Sequence, residues 1–112
     1  VERREVVFSP EAQADLIALY DHIDKSAGPG RAMAYIRRIE AYCLGFDLAG
    51  ERGRRRDDIR PGLRTVGFER RVTIAFHVEQ AKVTVDRVFY GGRNVERVLR
   101  RGQRRLSATR PS

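Results

Sequence analysis

Two neighbouring segments of this chain, Val72–Val78 and Val83–Tyr90, alternate apolar and polar residues with a period of two. That period belongs to half-buried β-strands and fits no helix. The apolar set of the first is Val72, Ile74, Phe76 and Val78; that of the second is Val83, Val85 and Phe89. With Gln80 and Ala81 as a two-residue turn, Glu79 pairs with Lys82, His77 with Thr84, Val72 with Phe89 and Arg71 with Tyr90. Both apolar sets then share one face. Arg71, Thr73, His77, Thr84, Asp86 and Tyr90 share the other, which is left available for a ligand. Arg87 alone conflicts, because it falls among the apolar residues.

The rest of the chain supplies cover for that hairpin. Glu5–Phe8 reads as a first strand. Ser9 can cap a helix that opens with Pro10 and Glu11. Its apolar stripe is Ala12, Leu16, Leu19, Tyr20 and Ile23, and Gly28-Pro29-Gly30 stops it near Ser26. A second helix runs from about Arg31 to Leu48 on the stripe Ala32, Tyr35, Ile36, Ile39, Cys43 and Phe46. Gly45 weakens it, and Gly50 ends it. Residues 51–62 read as a polar loop, and Leu63–Phe68 as a further strand. Asn94 can cap a short helix carrying Val95, Val98 and Leu99. The expected fold is α+β: a first strand, an antiparallel helical hairpin, a three-stranded antiparallel sheet and a short C-terminal helix. At 112 residues the chain makes a single domain, 1–99, with a basic flexible tail at 100–112.

Charge narrows the function. The net charge is +8; residues 1–50 carry 6 basic and 8 acidic side chains, residues 51–112 carry 17 and 7. Nearly all the basic residues of the second half are arginine, whose planar fork suits phosphate and carboxylate. That half should attract an anionic partner. No apolar run is long enough for a bilayer span, and Val1–Phe8 has no signal-peptide pattern, so a cytoplasmic protein is expected. The lone Cys43 lies on the apolar stripe and reads as a core residue. His22, between Asp21 and Asp24, reads as part of a solvated helix face. Asp57 and Asp58 read as partners of the adjacent arginines. The chain has no phosphate-binding glycine loop, nucleophile elbow or zinc signature, so no catalytic residue, metal or cofactor is assigned.

Metal-free RNA cleavage needs a base, an acid and cations for the developing phosphorane charge. His77, Tyr90, Arg71 and Arg93 are of the right types. In the register above, His77 and Tyr90 are six residues apart along the ladder, roughly 20 Å, too far to flank one phosphate.

Several local sequences, in this order, resemble the RelE/ParE toxin superfamily of bacterial type II toxin–antitoxin systems. They are Val7-Phe8-Ser9-Pro10-Glu11-Ala12 with Asp15, Leu16 and Tyr20; Ala32 and Ile36; Arg60-Pro61-Gly62-Leu63-Arg64; Ile74-Ala75-Phe76-His77-Val78; and Arg87-Val88-Phe89-Tyr90-Gly91-Gly92-Arg93-Asn94. The resemblance covers about Val6 to Leu99 and is strongest to the ParE branch. It implies a toxin that blocks DNA gyrase and replication until a cognate ParD-like antitoxin neutralises it. The RelE branch instead cleaves mRNA on the ribosome. Arg93 looks like the arginine after the last strand that both branches keep. Tyr90 falls where ParE-like sequences often have histidine, and Asn94 where they usually have aspartate. The lysine pair of the ribonuclease branch is replaced by Arg54, Arg55 and Arg56, which favours the gyrase branch. The candidate target-binding set is Arg71, Arg87, Tyr90, Arg93, Asn94, Arg54, Arg55 and Arg56. The alternatives are a RelE-like mRNA endonuclease and a basic nucleic-acid-binding module without toxicity.

Overall fold

The computed structural model describes residues 3–92 and 95–101. Arg93, Asn94 and residues 102–112, and with them most of the expected tail, lie outside the described residues. In chain order the elements are β1 (Glu5–Phe8), α1 (Pro10–Ala27), α2 (Pro29–Leu44), α3 (Phe46–Ala49), β2 (Arg54–Arg55), β3 (Leu63–Phe68), β4 (Val72–Val78) and β5 (Lys82–Tyr90). A final helix, α4, covers residues 95–101.

Local chemistry explains the helix ends. The Ser9 hydroxyl accepts the Ala12 N–H at 3.0 Å, and Pro10 fills the first helical position. Gly28, at φ 90°, is the one-residue joint between α1 and α2, a conformation that penalises any side chain. The second helix is shorter than its stripe predicts. It ends at Leu44, and Phe46–Ala49 forms a separate helical turn after Gly45.

The expected three-stranded antiparallel sheet is instead a mixed sheet of five strands, in the order β1-β5-β4-β3-β2. β1 pairs parallel with β5 at one edge, with Val6 opposite Val83 and Phe8 opposite Val85. The other pairs are antiparallel. The two additional strands are short. β2 is two arginines within a segment that shows no alternation, and the parallel pairing of β1 depends on the long return through the helices.

The β4–β5 register departs from expectation halfway along. The turn at Gln80-Ala81 forms, with Glu79 N–H bonded to the Lys82 carbonyl at 2.8 Å, and His77 pairs with Thr84. Between Ala75 and Phe76 a β-bulge then shifts the ladder by one residue. Ala75 faces Arg87, Thr73 faces Phe89 and Val72 faces Tyr90, rather than Val72 facing Phe89 and Arg71 facing Tyr90. Since side chains alternate, the slip exchanges the two faces beyond the bulge. Val88 and Tyr90 now join the helix-facing side, and Phe89 leaves it. The same slip takes Arg87 off the helix face.

Two cores result. The larger lies between the sheet and α1/α2 and contains Leu16, Leu19, Ile36, Ile39, Cys43, Phe46, Ile74, Phe76, Val83, Val85 and Val88. Phe46 stacks on Phe76 with ring centroids 4.3 Å apart, which seats the turn after α2 on the sheet centre. Burial pushes the Cys43 thiol up to about 12, so it stays protonated and inert, the core residue that its position predicts. The smaller core lies on the opposite face, where Ile59, Leu63, Ala75, Phe89 and Leu99 are buried with Val95 and Val98 against them. The face expected to be available for a ligand is therefore largely covered by α4 and the Ile59 loop.

Candidate functional site

Internal ion pairs sort the arginines of the basic half. Arg87 donates to both carboxylate oxygens of Asp15, at 2.8 and 3.0 Å. Asp15 also accepts the Val88 N–H at 2.8 Å. Beyond Phe8, β5 has lost its β1 neighbour, and this carboxylate takes the place of the missing strand. Ser9 serves the same edge, its N–H bonding the Val85 carbonyl and its hydroxyl the Asp86 carbonyl, both at 2.9 Å. Arg56 is held by Asp58 and Glu96, and Arg100 of α4 by the same two carboxylates. This network fastens α4 over the smaller core. The Arg56 guanidinium holds Asp58 well below the usual carboxylate range. Arg55 pairs with Asp57, so both aspartates meet the neighbouring arginines as the sequence suggests.

Of the candidate arginines among the described residues, Arg54 and Arg71 remain exposed and form no ion pair. Arg54 projects from the two-residue edge strand β2. Arg71 stands in the turn that leads into β4, an interior strand.

Of the predicted residues, the fold brings Arg71 and Tyr90 together. They line an open cleft of about 440 Å³ between the α1–α2 joint and the β3–β4 turn. The helices add His22, Arg31, Tyr35 and Arg38 to it, and the turn adds Glu69. Sequence reasoning did not connect these residues with Tyr90, because the bulge that turns Tyr90 toward the helices leaves no mark on the hydrophobic pattern. The ring of His22 lies 5.4 Å from that of Tyr90, tilted by 55°. His22, not His77, is the imidazole that stands beside Tyr90. His22 is exposed, as a solvated helix face requires, and it lines the rim of the cleft.

The wall of this cleft is built with care. Glu69 and Arg70 both adopt left-handed backbone angles, φ 48° and 66°, which cost about 1–2 kcal/mol per residue for L-amino acids. Glu69 binds Arg38 of α2 with both oxygens, at 2.9 and 3.0 Å, and so fastens the turn to the helix. Arg38 also lies over the Tyr35 ring at 4.9 Å. Burial, helped by the Glu69 charge, pushes the Tyr35 hydroxyl above its ordinary pKa, so it is a hydrogen-bond donor at neutral pH.

His77 stands apart from the cleft, on the other face of the sheet. Its Nδ1 is 2.8 Å from Asp86 and its Nε2 is 3.2 Å from Glu79. Arg60 meets Asp86 at 3.3 Å. With both ring nitrogens occupied, His77 ties the bulge together and has no free position for a substrate proton.

A family model described as the ParE toxin of type II toxin–antitoxin systems, parDE, matches residues 6–95. The chain belongs to the ParE toxin family. Among solved structures, a chain of the chromosomal ParDE TA system from P. aeruginosa is 26% identical, with a TM-score of 0.69. The match covers 79% of this chain and 96% of that one. No curated protein matches. The matched span holds β1 through β5, so the bulge, the Asp15–Arg87 pair and the cleft all lie inside the ParE region. Among the described residues, no helix is long and apolar enough to cross a membrane.

Proposed function

We propose that this ParE-family toxin inhibits DNA gyrase and is neutralised by a ParD-like antitoxin. The observation that carries the reading is the family match over residues 6–95, which spans nearly the whole described fold. Surface chemistry supports it. Arg54, on the β2 edge, and Arg71, before β4, keep exposed charge at separate places, while Arg56 and Arg87 serve internal carboxylates. Two such positions can grip a large anionic target at separate points, with electrostatics guiding the approach. The antitoxin is expected to lay an acidic segment along the helical hairpin and a sheet edge, ordering as it binds. Purified protein at micromolar concentration should block gyrase supercoiling or trap cleavage complexes, and added antitoxin should reverse the effect. Unaffected supercoiling and no trapped complexes would reject gyrase as the target.

One observation favours a second reading, ribosome-dependent mRNA cleavage. His22, Tyr90, Arg31 and Arg71 line one cleft and are of the types that metal-free RNA cleavage uses. Under this reading arrested cells show position-specific mRNA cuts, and His22→Ala abolishes them. Intact mRNA in arrested cells excludes it.

A further inference from the structure

The cleft has a chemistry of its own, independent of the toxin's target. Its charges do not cancel. Arg38 is matched by Glu69 in a two-point ion pair, whereas Arg31 and Arg71 have no carboxylate partner among the described residues. Two arginines without a carboxylate partner among the described residues therefore line the same space, one from the start of α2 and one from the turn before β4. The phenols of Tyr35 and Tyr90 line the space between them. Two arginines and two phenols around one space suit a tetrahedral group with three acceptor oxygens better than a planar carboxylate, which one arginine satisfies edge-on. Two uncompensated positive charges suit a dianion. The volume, about 440 Å³, fits a small ligand. The aromatic surfaces are already engaged, Tyr35 by Arg38 and Tyr90 by His22, so recognition falls on the oxyanion and not on a stacked base.

We propose that the cleft between Arg31, Tyr35, Arg71 and Tyr90 binds a phosphate monoester dianion. The turn next to Arg71 is held by the clamp of Glu69 on Arg38, under which its two left-handed residues persist, so the cleft wall is fixed before a ligand arrives. The phosphoryl group can arrive as the free ion or on a 5′-nucleotide, and the chemistry of recognition is the same for both.

The test is calorimetric titration of the full chain with inorganic phosphate, with adenosine 5′-monophosphate and with glutarate, at fixed ionic strength. Saturable binding of phosphate or the nucleotide, with glutarate weaker by about tenfold or more, is the expected result. Tighter nucleotide than phosphate assigns the site to the ester, and equal affinity assigns it to the bare phosphoryl group. Arg31→Gln and Arg71→Gln should each weaken binding about tenfold, as loss of a charged hydrogen bond does. Arg37→Gln, on the exposed face of α2 outside the cleft, should not. Thermal melts of each variant verify folding, and Tyr90→Phe supplies a milder probe where an arginine variant unfolds. Equal weakening by Arg37→Gln, glutarate binding as tightly as phosphate, or no saturation with either phosphate ligand overturns the proposal.

Discussion

Asp15, on the second turn of α1, holds Arg87 of β5 through two hydrogen bonds and at the same time accepts the N–H of Val88. One carboxylate thus neutralises an arginine and finishes the edge of a strand whose neighbour has ended. Asp15→Ala should destabilise the fold by about 2 kcal/mol, because it strands both a half-buried guanidinium and a backbone donor. Asp15→Asn keeps an acceptor for Val88 and should cost less. A double-mutant cycle with Arg87→Ala, read by urea unfolding, should return a coupling of about 1 kcal/mol or more. Additive losses would show that the pair does not act as a unit.

His77 predicts a pH dependence with a definite sign. The hydrogen bond to Asp86 raises its pKa above the usual histidine value, with Glu79 adding to the effect against the opposing cost of burial. The folded state therefore binds the proton more tightly than the unfolded chain. The stabilisation is complete below the unfolded pKa of about 6.5 and is lost as pH rises through the higher folded value. Melting temperatures of the native protein and of His77→Gln, compared from about pH 5.5 to pH 8.5, should differ most at the acid end and converge toward the alkaline end. A difference that grows with pH would contradict this assignment.

The β3–β4 turn predicts opposite behaviour for adjacent residues. Arg70→Gly relieves a left-handed φ of 66° and should stabilise the protein by about 0.5–1 kcal/mol, net of the greater entropy of unfolded glycine. Glu69→Gly relieves a similar strain but removes the bond to Arg38, so its gain should be smaller or absent. Chemical denaturation of the two variants is sufficient. If Glu69→Gly is the more stabilising, the clamp on α2 contributes nothing.

Toxicity and stability should separate among the arginines. If gyrase is the target, as proposed, Arg71→Ala should leave the melting temperature nearly unchanged and reduce inhibition about tenfold, the effect of losing one charged contact. Arg87→Ala should lower the melting temperature, since its partner lies inside the fold. Dose–response curves for gyrase inhibition beside thermal melts resolve the two classes. Equal loss of inhibition without any loss of stability in both variants would place Arg87 in the contact surface as well.

Much of the architecture was readable from the chain. The Ser9-Pro10 helix start, the stripe from Ala32 to Phe46, the turn at Gln80-Ala81 and the pairing of His77 with Thr84 follow from local periodicity and capping. The pairing of Asp57 and Asp58 with adjacent arginines was equally local. The conflict at Arg87 was visible too, and it marked the place where a regular ladder fails. Nothing in the sequence said which residue the bulge would set aside, because either register keeps most apolar residues covered.

That choice belonged to the folded molecule. Ser9 and Asp15 arrive at the β5 edge from the start of α1, more than seventy positions away in the chain, and satisfy the backbone groups that the end of β1 leaves open beside the bulge. With the ladder set, alternation turns Tyr90 toward the helices and Phe89 toward the smaller core. Periodicity reports which faces a segment owns, since that depends on near neighbours alone. Which face meets which partner depends on hydrogen-bonding groups brought from far along the chain, and their positions exist only once the chain has closed on itself.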